Sequence, residues 1–313
     1  MISVSIGALA IGFILAPLAM GVFLSYRILR FPDITVDGSF ALGAVITARM
    51  IICGVDPVTA TALGMLGGAV AGLVTGLLIT RFGIEKLLAG ILVMIGLYSV
   101  NFWILGQGSY PYNQDITLYT YASSVAQTVF GGTAMQSVLG LSHSPVRTVV
   151  MLLSGVTAAL IGWLLFWFFR TRFGLSMRAA GSNEQSVRAL GANVSVRIIA
   201  ALAISNALAA FSGAVWAQYY ATVALDEGMG MLVVGLACVL IGEAFLRQRS
   251  FGVRLFGAVL GAAVYELIRS YIMLTGLAGN YFKLITALIV LIALLLPARI
   301  RALRQQAASA GGV

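Results

Sequence analysis

From Val4 to Tyr26 the chain carries no charged side chain. At 1.5 Å per helical residue, a run of that length crosses a hydrocarbon core about 30 Å thick. Only helices and closed barrels satisfy their backbone in such a core. Eight more apolar runs follow, at roughly 36–54, 58–80, 87–105, 146–169, 198–220, 230–246, 255–275 and 282–297. None alternates polar and apolar residues as a barrel strand does. Of 313 residues, 9% are charged, against about 25% in a soluble domain; the chain has too little polar surface to face water. The expected fold is all-α: a polytopic transmembrane helix bundle of about nine spans (eight to ten), forming one domain over residues 1–313.

If the spans alternate, fifteen of the nineteen Lys and Arg residues fall at one end of the bundle, within 27–30, 81–86, 170–197, 247–254 and 299–304. Arg49, Arg147, Arg269 and Lys283 lie elsewhere. Basic residues collect on the cytoplasmic side, so the N-terminus is expected outside and the C-terminus in the cytoplasm. The same rule accounts for the formal net charge of +9 without nucleic acid, and no nucleic-acid-binding motif accompanies it. The first run is too long for a cleavable signal peptide and lacks a basic start. Cys53 and Cys238 stand at apolar positions and are expected to be free. With one histidine, His143, a histidine-based metal site is not expected. The largest outer loop, 106–145, holds four tyrosines, one aspartate and no Lys or Arg. It reads as an interfacial aromatic belt; the alternative is a docking surface for an external partner. It also has room for a re-entrant or amphipathic segment.

Gly64, Gly68, Gly72 and Gly76 recur every four residues and share one helix face. Small residues at that spacing let another helix backbone approach closely. Ala209, Gly213 and Ala217 repeat the pattern, as do Gly257 and Gly261. These predict a tight bundle and no particular chemistry.

The stretch RAAGSNEQSVRALGANVSVRI, residues 178–198, is polar where most of the chain is greasy, and most of it lies in the long loop 170–197. Ser182 with Gln185 three residues later fits a capping box, Asn183 is a rival N-cap, and Gly191 is a stop. About two turns of helix are therefore predicted outside the membrane. Val187 and Leu190 share a face while Arg188 points elsewhere, an arrangement suited to a groove on another protein. An ordinary solvated linker accounts for these residues equally well.

RAAGSNEQSVRALGANV resembles the cytoplasmic loop of permease subunits of ABC importers of the branched-chain amino acid type, related to the ribose-type permeases. The shared elements are Arg178-Ala179, Gly181, Asn183, Ala189, Gly191 and Asn193. Ser182 stands where the family often has an Asp or a longer spacer. A second stretch, SYRILRFPDITVDGSFALGAV at 25–45, is similar to the polar segment after the first span in that family, and especially to a subgroup assigned to uptake of aromatic amino acids. The resemblance implies a coupling helix that inserts into an ATPase subunit, with Arg178, Gly181, Asn183, Glu184, Val187, Arg188, Leu190 and Gly191 as the coupling residues. It implies as partners ABC ATPase subunits, an external solute-binding protein and a second permease, either a copy or a paralogue. The setting it implies is the plasma (inner) membrane of a prokaryote.

Polar residues inside the spans are the candidates for a translocation path: Asp37, Ser39, Asn101, Asn206 and Glu266. Each has a plain alternative. Pro32 and Gly38 disfavour a regular helix, and Asp37 just beyond either faces a cavity or caps the next helix. Asn206 is equally suited to an interhelical hydrogen bond. Glu266 and Arg269, three apart, form a structural ion pair facing the bundle interior. Glu243 pairs with the basic end, and Trp216, Tyr219 and Tyr220 read as belt residues. No G-x-x-x-x-G-K-[ST] phosphate loop is present, so ATP is expected on another chain, with no enzymatic activity and no cofactor on this one. The reading is a membrane permease subunit of an ATP-driven importer for a small organic solute, first an amino acid, second a nucleoside or sugar. The rivals are a stand-alone secondary transporter or channel and a membrane scaffold.

Overall fold

A computed structural model describes residues 2–111, 116–130, 145–189, 191–246, 250–274, 284 and 286–291. In chain order the elements are α1 (Ile2–Phe23, continued by a π-helical turn, Leu24–Ile28), α2 (Thr35–Ile52), α3 (Pro57–Thr80), α4 (Lys86–Leu105), β1 (Ser109–Pro111), α5 (Leu118–Phe130), α6 (Pro145–Phe168), α7 (Arg172–Ser182), α8 (Glu184–Ala189), α9 (Val194–Tyr220), β2 (Thr222–Ala224), a 3-10 turn (Leu225–Gly228), α10 (Met231–Phe245) and α11 (Phe251–Met273). Among the described residues eight helices are long and apolar enough to cross a membrane. They coincide with the first eight predicted runs. Of the ninth, 282–297, residues 284 and 286–291 are helical, and the rest lies outside the described residues.

The central element is α9, against which α1, α2 and α3 all pack. Its contact with α3 is set by the glycine ladder. A Cβ on Gly72 would sit 2.7 Å from the carbonyl carbon of Leu202 and 2.8 Å from Ala203 Cα, and one on Gly76 would sit 2.8 Å from Ile199 Cα. Gly68 meets Asn206 and Ala210 in the same way, whereas Gly64 meets Gly43 and Thr47 of α2. Gly213 repeats the device against Phe40 of α2, and Gly261 against Cys238 where α10 and α11 cross. In lipid no hydrophobic force draws helices together, so they associate through such close backbone packing.

Pro17 interrupts the hydrogen-bond ladder of α1. Ser212 of α9 repairs it: its hydroxyl donates to the Ile14 carbonyl (2.7 Å) and accepts from the Leu18 N–H (2.9 Å). Two turns on, Ser205 donates to the Gly21 carbonyl at 2.7 Å. A backbone group freed inside a bilayer needs such a partner.

Contacts between element ends bear out the alternation of spans. Arg27, closing α1, pairs with Glu243, near the end of α10. Lys86, opening α4, lies 3.8 Å from Glu184 of α8. At the opposite end β1 pairs antiparallel with β2, Tyr110 against Val223, joining the ends of α4 and α9. There too Ser5 bonds Tyr271 at 2.7 Å. The described basic residues of 27–30, 81–86 and 170–197 thus gather at one end.

The loop 106–145 does contain an amphipathic segment, α5. Its 13 residues are too few to span, and it packs on α6 and α9. Residues 112–115 and 131–144, with His143, lie outside the described residues. Both cysteines are free, but Cys53 is exposed rather than packed; Cys238 is buried.

Candidate functional site

The polar centre is built where α1 hands over to α2. After the π turn, Arg30 adopts a left-handed backbone (φ 61°) and Pro32 follows, so the chain re-enters the bundle without regular structure. Asp33 then starts α2: its Oδ1 accepts the Thr35 N–H at 3.0 Å, an Asx turn. Its Oδ2 accepts from Asn206 Nδ2 at 2.7 Å. Asn206 Nδ2 also donates to the Leu202 carbonyl (2.9 Å), and its Oδ1 accepts from the Ser39 hydroxyl (2.7 Å). The Thr35 and Thr75 hydroxyls are 2.9 Å apart. Asp33 is 1% exposed, and Ser39, Thr35, Thr75 and Asn206 are fully buried. Asn206 falls near the middle of the 27-residue α9, so the set lies deep in the bundle. Gly90 makes room for it: a Cβ there would meet the Ile34 N–H at 3.3 Å and Asp33 Oδ1 at 3.4 Å.

Ser39 and Asn206 are therefore brought together directly, and Asp33, a residue absent from the candidate set, joins them through the Asn206 amide. An Asp directly ahead of an apolar run marks a helix start, but nothing local to Asp33 marks its bond to Asn206, 173 residues away.

Asp37 does not cap its own helix. Its Oδ2 accepts the Gly230 N–H (3.0 Å) and its Oδ1 the Leu232 N–H (2.6 Å), so it caps α10 from across the bundle. A carboxylate there answers both the unpaired N–H groups and the positive end of the helix dipole. At 15 residues, α10 is about 22 Å long, short of a full crossing; β2 and the 3-10 turn complete it. Gly228 in that turn packs on the Asp37 carbonyl, and a Cβ there would lie 3.1 Å from Ala41 Cβ.

Asn101 and Glu266 stand apart from this set. Asn101 is 1% exposed, and its Oδ1 accepts no hydrogen bond among the described residues. Glu266 Oε2 accepts from Arg269 Nε at 2.8 Å, the expected buried ion pair. The Arg269 guanidinium lies 5.9 Å from the Trp216 ring. Trp216 is 9% exposed and packs edge-on against Phe40; it is a core residue rather than the belt residue its position at the helix end predicts.

The loop 170–197 is two helices rather than one. Thr171 caps α7, its hydroxyl accepting the Gly174 N–H at 3.2 Å. Gly174, Met177 and Ala180 form the buried face; Arg178 is exposed, its guanidinium 4.5 Å from the Phe251 ring. Ser182 is not an N-cap. Its hydroxyl donates back to the Ala179 carbonyl at 2.9 Å and ends α7. The chain breaks at Asn183 (φ −155°, ψ 97°), and α8 begins at Glu184, whose carboxylate lies 3.7 Å from Arg188 and 3.8 Å from Lys86. Gly191 (φ 76°) stops it: the Gly191 N–H donates to the Arg188 carbonyl and the Ala192 N–H to that of Val187, a Schellman closure. Val187 is 2% exposed and belongs to the main core. A helix of six residues has one apolar face, and this bundle covers it, so Val187 anchors α8 to its own chain instead of presenting a surface to another. Leu190 lies outside the described residues. Gln185, Arg188 and Ala189 face outward. Gly181 seats α7 on the end of α1, its Cα against the Ile28 carbonyl. Between this joint and α4 runs a cleft of about 550 Å³ lined by Phe31, Thr80, Lys86, Glu184, Arg188 and Ser195.

At the other end α5 is fastened by polar contacts. Gln218 accepts from the Leu118 N–H (3.1 Å) and donates to Thr61 (2.7 Å). Tyr121 donates to Asp56 Oδ1 at 2.8 Å, which holds the Asp56 carboxyl below the usual carboxylate range and pushes the phenol up.

A bundle of apolar crossing helices with a self-satisfied polar centre and a helical pair beyond its basic end defines a multi-pass membrane protein. The family model described as the permease component of branched-chain amino acid transport systems matches residues 5–294, and the chain belongs to that family: it is a permease subunit of an ABC transporter. It is 34% identical over 89% of its length, and 86% of the relative, to the tyrosine transport system permease protein of Clostridioides difficile. It is 28% identical to protein RP368 of Rickettsia prowazekii, covering 93% of this chain and 97% of that one. It is 28% identical to the autoinducer 2 import system permease protein LsrC of Yersinia pseudotuberculosis, covering 92% of this chain and 75% of the relative.

Proposed function

We propose that this permease carries an amino acid inward at the expense of ATP hydrolysed by a separate subunit. The observation that carries the ATP-driven part is the pair α7–α8, anchored by Val187 and Gly181 and turned outward with Gln185 and Arg188 at the basic end. That end faces the cytoplasm by the positive-inside rule, which sets the N-terminus outside. There Arg178, Asn183, Glu184, Arg188 and the Gly191 stop shape the surface that an ATPase grips. An external solute-binding protein docks at the opposite end, where α5 and the β1–β2 pair lie. Two copies, or this chain with a paralogue, enclose the path, and Asp37, Ser39, Asn101, Asn206 and Glu266 order the helices that line it.

The solute assignment draws on the tyrosine transport permease among the relatives; a nucleoside or sugar is the second reading. Vesicles holding the chain with its ATPase and binding protein test both, with labelled tyrosine, leucine, uridine and ribose as probes. Tyrosine or leucine accumulation that requires ATP is the expected result. Accumulation of uridine or ribose alone contradicts the amino-acid reading, and uptake driven by an ion gradient without ATP contradicts the ATP-driven one.

A further inference from the structure

We infer that Gly181, the π turn Leu24–Ile28 and left-handed Arg30 form a relay that carries motion of α7–α8 into the Asp33–Asn206 centre. Gly181 and Arg30 are then positioning residues for transport rather than solute contacts. The inference rests on the reading of α7–α8 as the ATPase-gripped element and adds the route inward.

Three independent features of the chain meet at this joint. First, α7 touches α1 without an intervening side chain. A Cβ on Gly181 would overlap the Ile28 carbonyl oxygen and lie 2.7 Å from its carbon and 3.1 Å from Leu29 Cα. Any displacement of α7 toward the bundle is therefore met by backbone, which does not yield as a flexible side chain would. Second, the part of α1 it touches departs from α-helical register. The turn Leu24–Ile28 is π-type, with the Leu29 N–H bonded to the Leu24 carbonyl (3.1 Å) and the Phe31 N–H reaching back to that of Ser25 (3.3 Å). Single π turns are rare and lie frequently at functional sites. Third, the next residue but one, Arg30, is an exposed non-glycine residue at φ 61°. That conformation is unfavourable for an L-residue bearing a long side chain, and it persists only where its surroundings enforce it. Three residues later Asp33 grips Asn206 at the middle of α9 and starts α2. From there α2 runs unbroken to Ile52 at the far end. A push on Gly181 thus has a short covalent route to the helix whose far end lies across the bilayer. Lys86, over the Phe31 ring at 5.2 Å and beside Glu184, closes the joint on its other side.

The test uses the full chain with its ATPase in lipid nanodiscs. A bimane label on Arg49→Cys, exposed near the far end of α2, reports its movement; exposed Cys53 is changed to Ser, and buried Cys238 is left. Trapping with ATP and vanadate is expected to shift bimane emission in the native complex. Gly181→Ala is expected to reduce that shift at least two-fold while the complex still hydrolyses ATP. Arg30→Gly removes the left-handed penalty without touching a buried contact, so it holds the joint in its present form and reduces the shift in the same sense; it serves where Gly181→Ala does not assemble. A full-sized shift in Arg30→Gly, or in an assembled Gly181→Ala complex, overturns the relay. So does an absent shift in a native complex that hydrolyses ATP. Failure of the native chain to bind the ATPase at all overturns instead the reading on which the relay rests.

Discussion

Asp33, Ser39 and Asn206 form a closed account of donors and acceptors: each polar atom of the Asn206 amide has a partner within 2.9 Å. Removing the amide strands a buried carboxylate, so Asn206→Ala is expected to cost about 3 kcal/mol of stability, the upper range for leaving a buried group without its hydrogen bond. Ser39→Ala removes one hydrogen bond and is expected to cost about 1 kcal/mol. Denaturant titration of the purified protein in detergent separates the two, and equal losses would count against Asp33 as the centre of the set. Ser39 and Asn206 were legible in the sequence because a polar side chain inside an apolar run announces itself. Asp33 was not, since it stands at a span boundary where carboxylates are ordinary; only the fold reveals that the boundary dips inward. The Asp56–Tyr121 contact makes a pH prediction. A depressed carboxyl stabilises above its unfolded pKa and stops doing so as pH falls through its folded one, while a raised phenol does the reverse at the alkaline end. The tie between α5 and the start of α3 is therefore expected to hold from about pH 4 to about pH 10. Hydrogen exchange of residues 118–130 is expected to quicken outside that window and, in Tyr121→Phe, within it.

At the scale of elements, glycine positions are not interchangeable. Gly72→Ala thrusts a Cβ against the α9 backbone and is expected to cost about 1–3 kcal/mol as overpacking. Gly7→Ala has nothing within 4 Å and is expected to be neutral or slightly stabilising, since alanine favours helix. A thermal-unfolding comparison that ranks them the other way would contradict the ladder as the α3–α9 contact. This contact was legible because its period is written in the sequence. The helix α7 was not. Its residues RFGLSMRAAGS include two glycines and two serines, poor helix formers, and tertiary contact with α1 overrides that propensity. The one local signal, Thr171 ahead of the stretch, is a capping residue of a common kind. In α8 the apolar position was seen but assigned to the wrong partner. Val187→Asp places an unpaired charge in this chain's own core, so it is expected to lower expression and thermal stability together, as burial of an unpaired charge does.

For the whole molecule, the apolar runs made the helix bundle legible and the distribution of arginine and lysine made its alternation legible, because span count and charge bias each constrain the other. The structure adds that the basic end is mechanically joined: Arg27 to Glu243, Lys86 to Glu184, Arg178 over Phe251. These contacts tie α1, α4, α7, α8, α10 and α11 into one rim, from which Gln185 and Arg188 project. The most direct test of that rim as the seat of the ATPase is a photocrosslinking amino acid at exposed Gln185 in the full complex. A crosslink from 185 to the ATPase subunit, lost when the same group is placed at exposed Trp103 toward the other end of α4, is the predicted result. Efficient crosslinking from position 103 and none from 185 would contradict it.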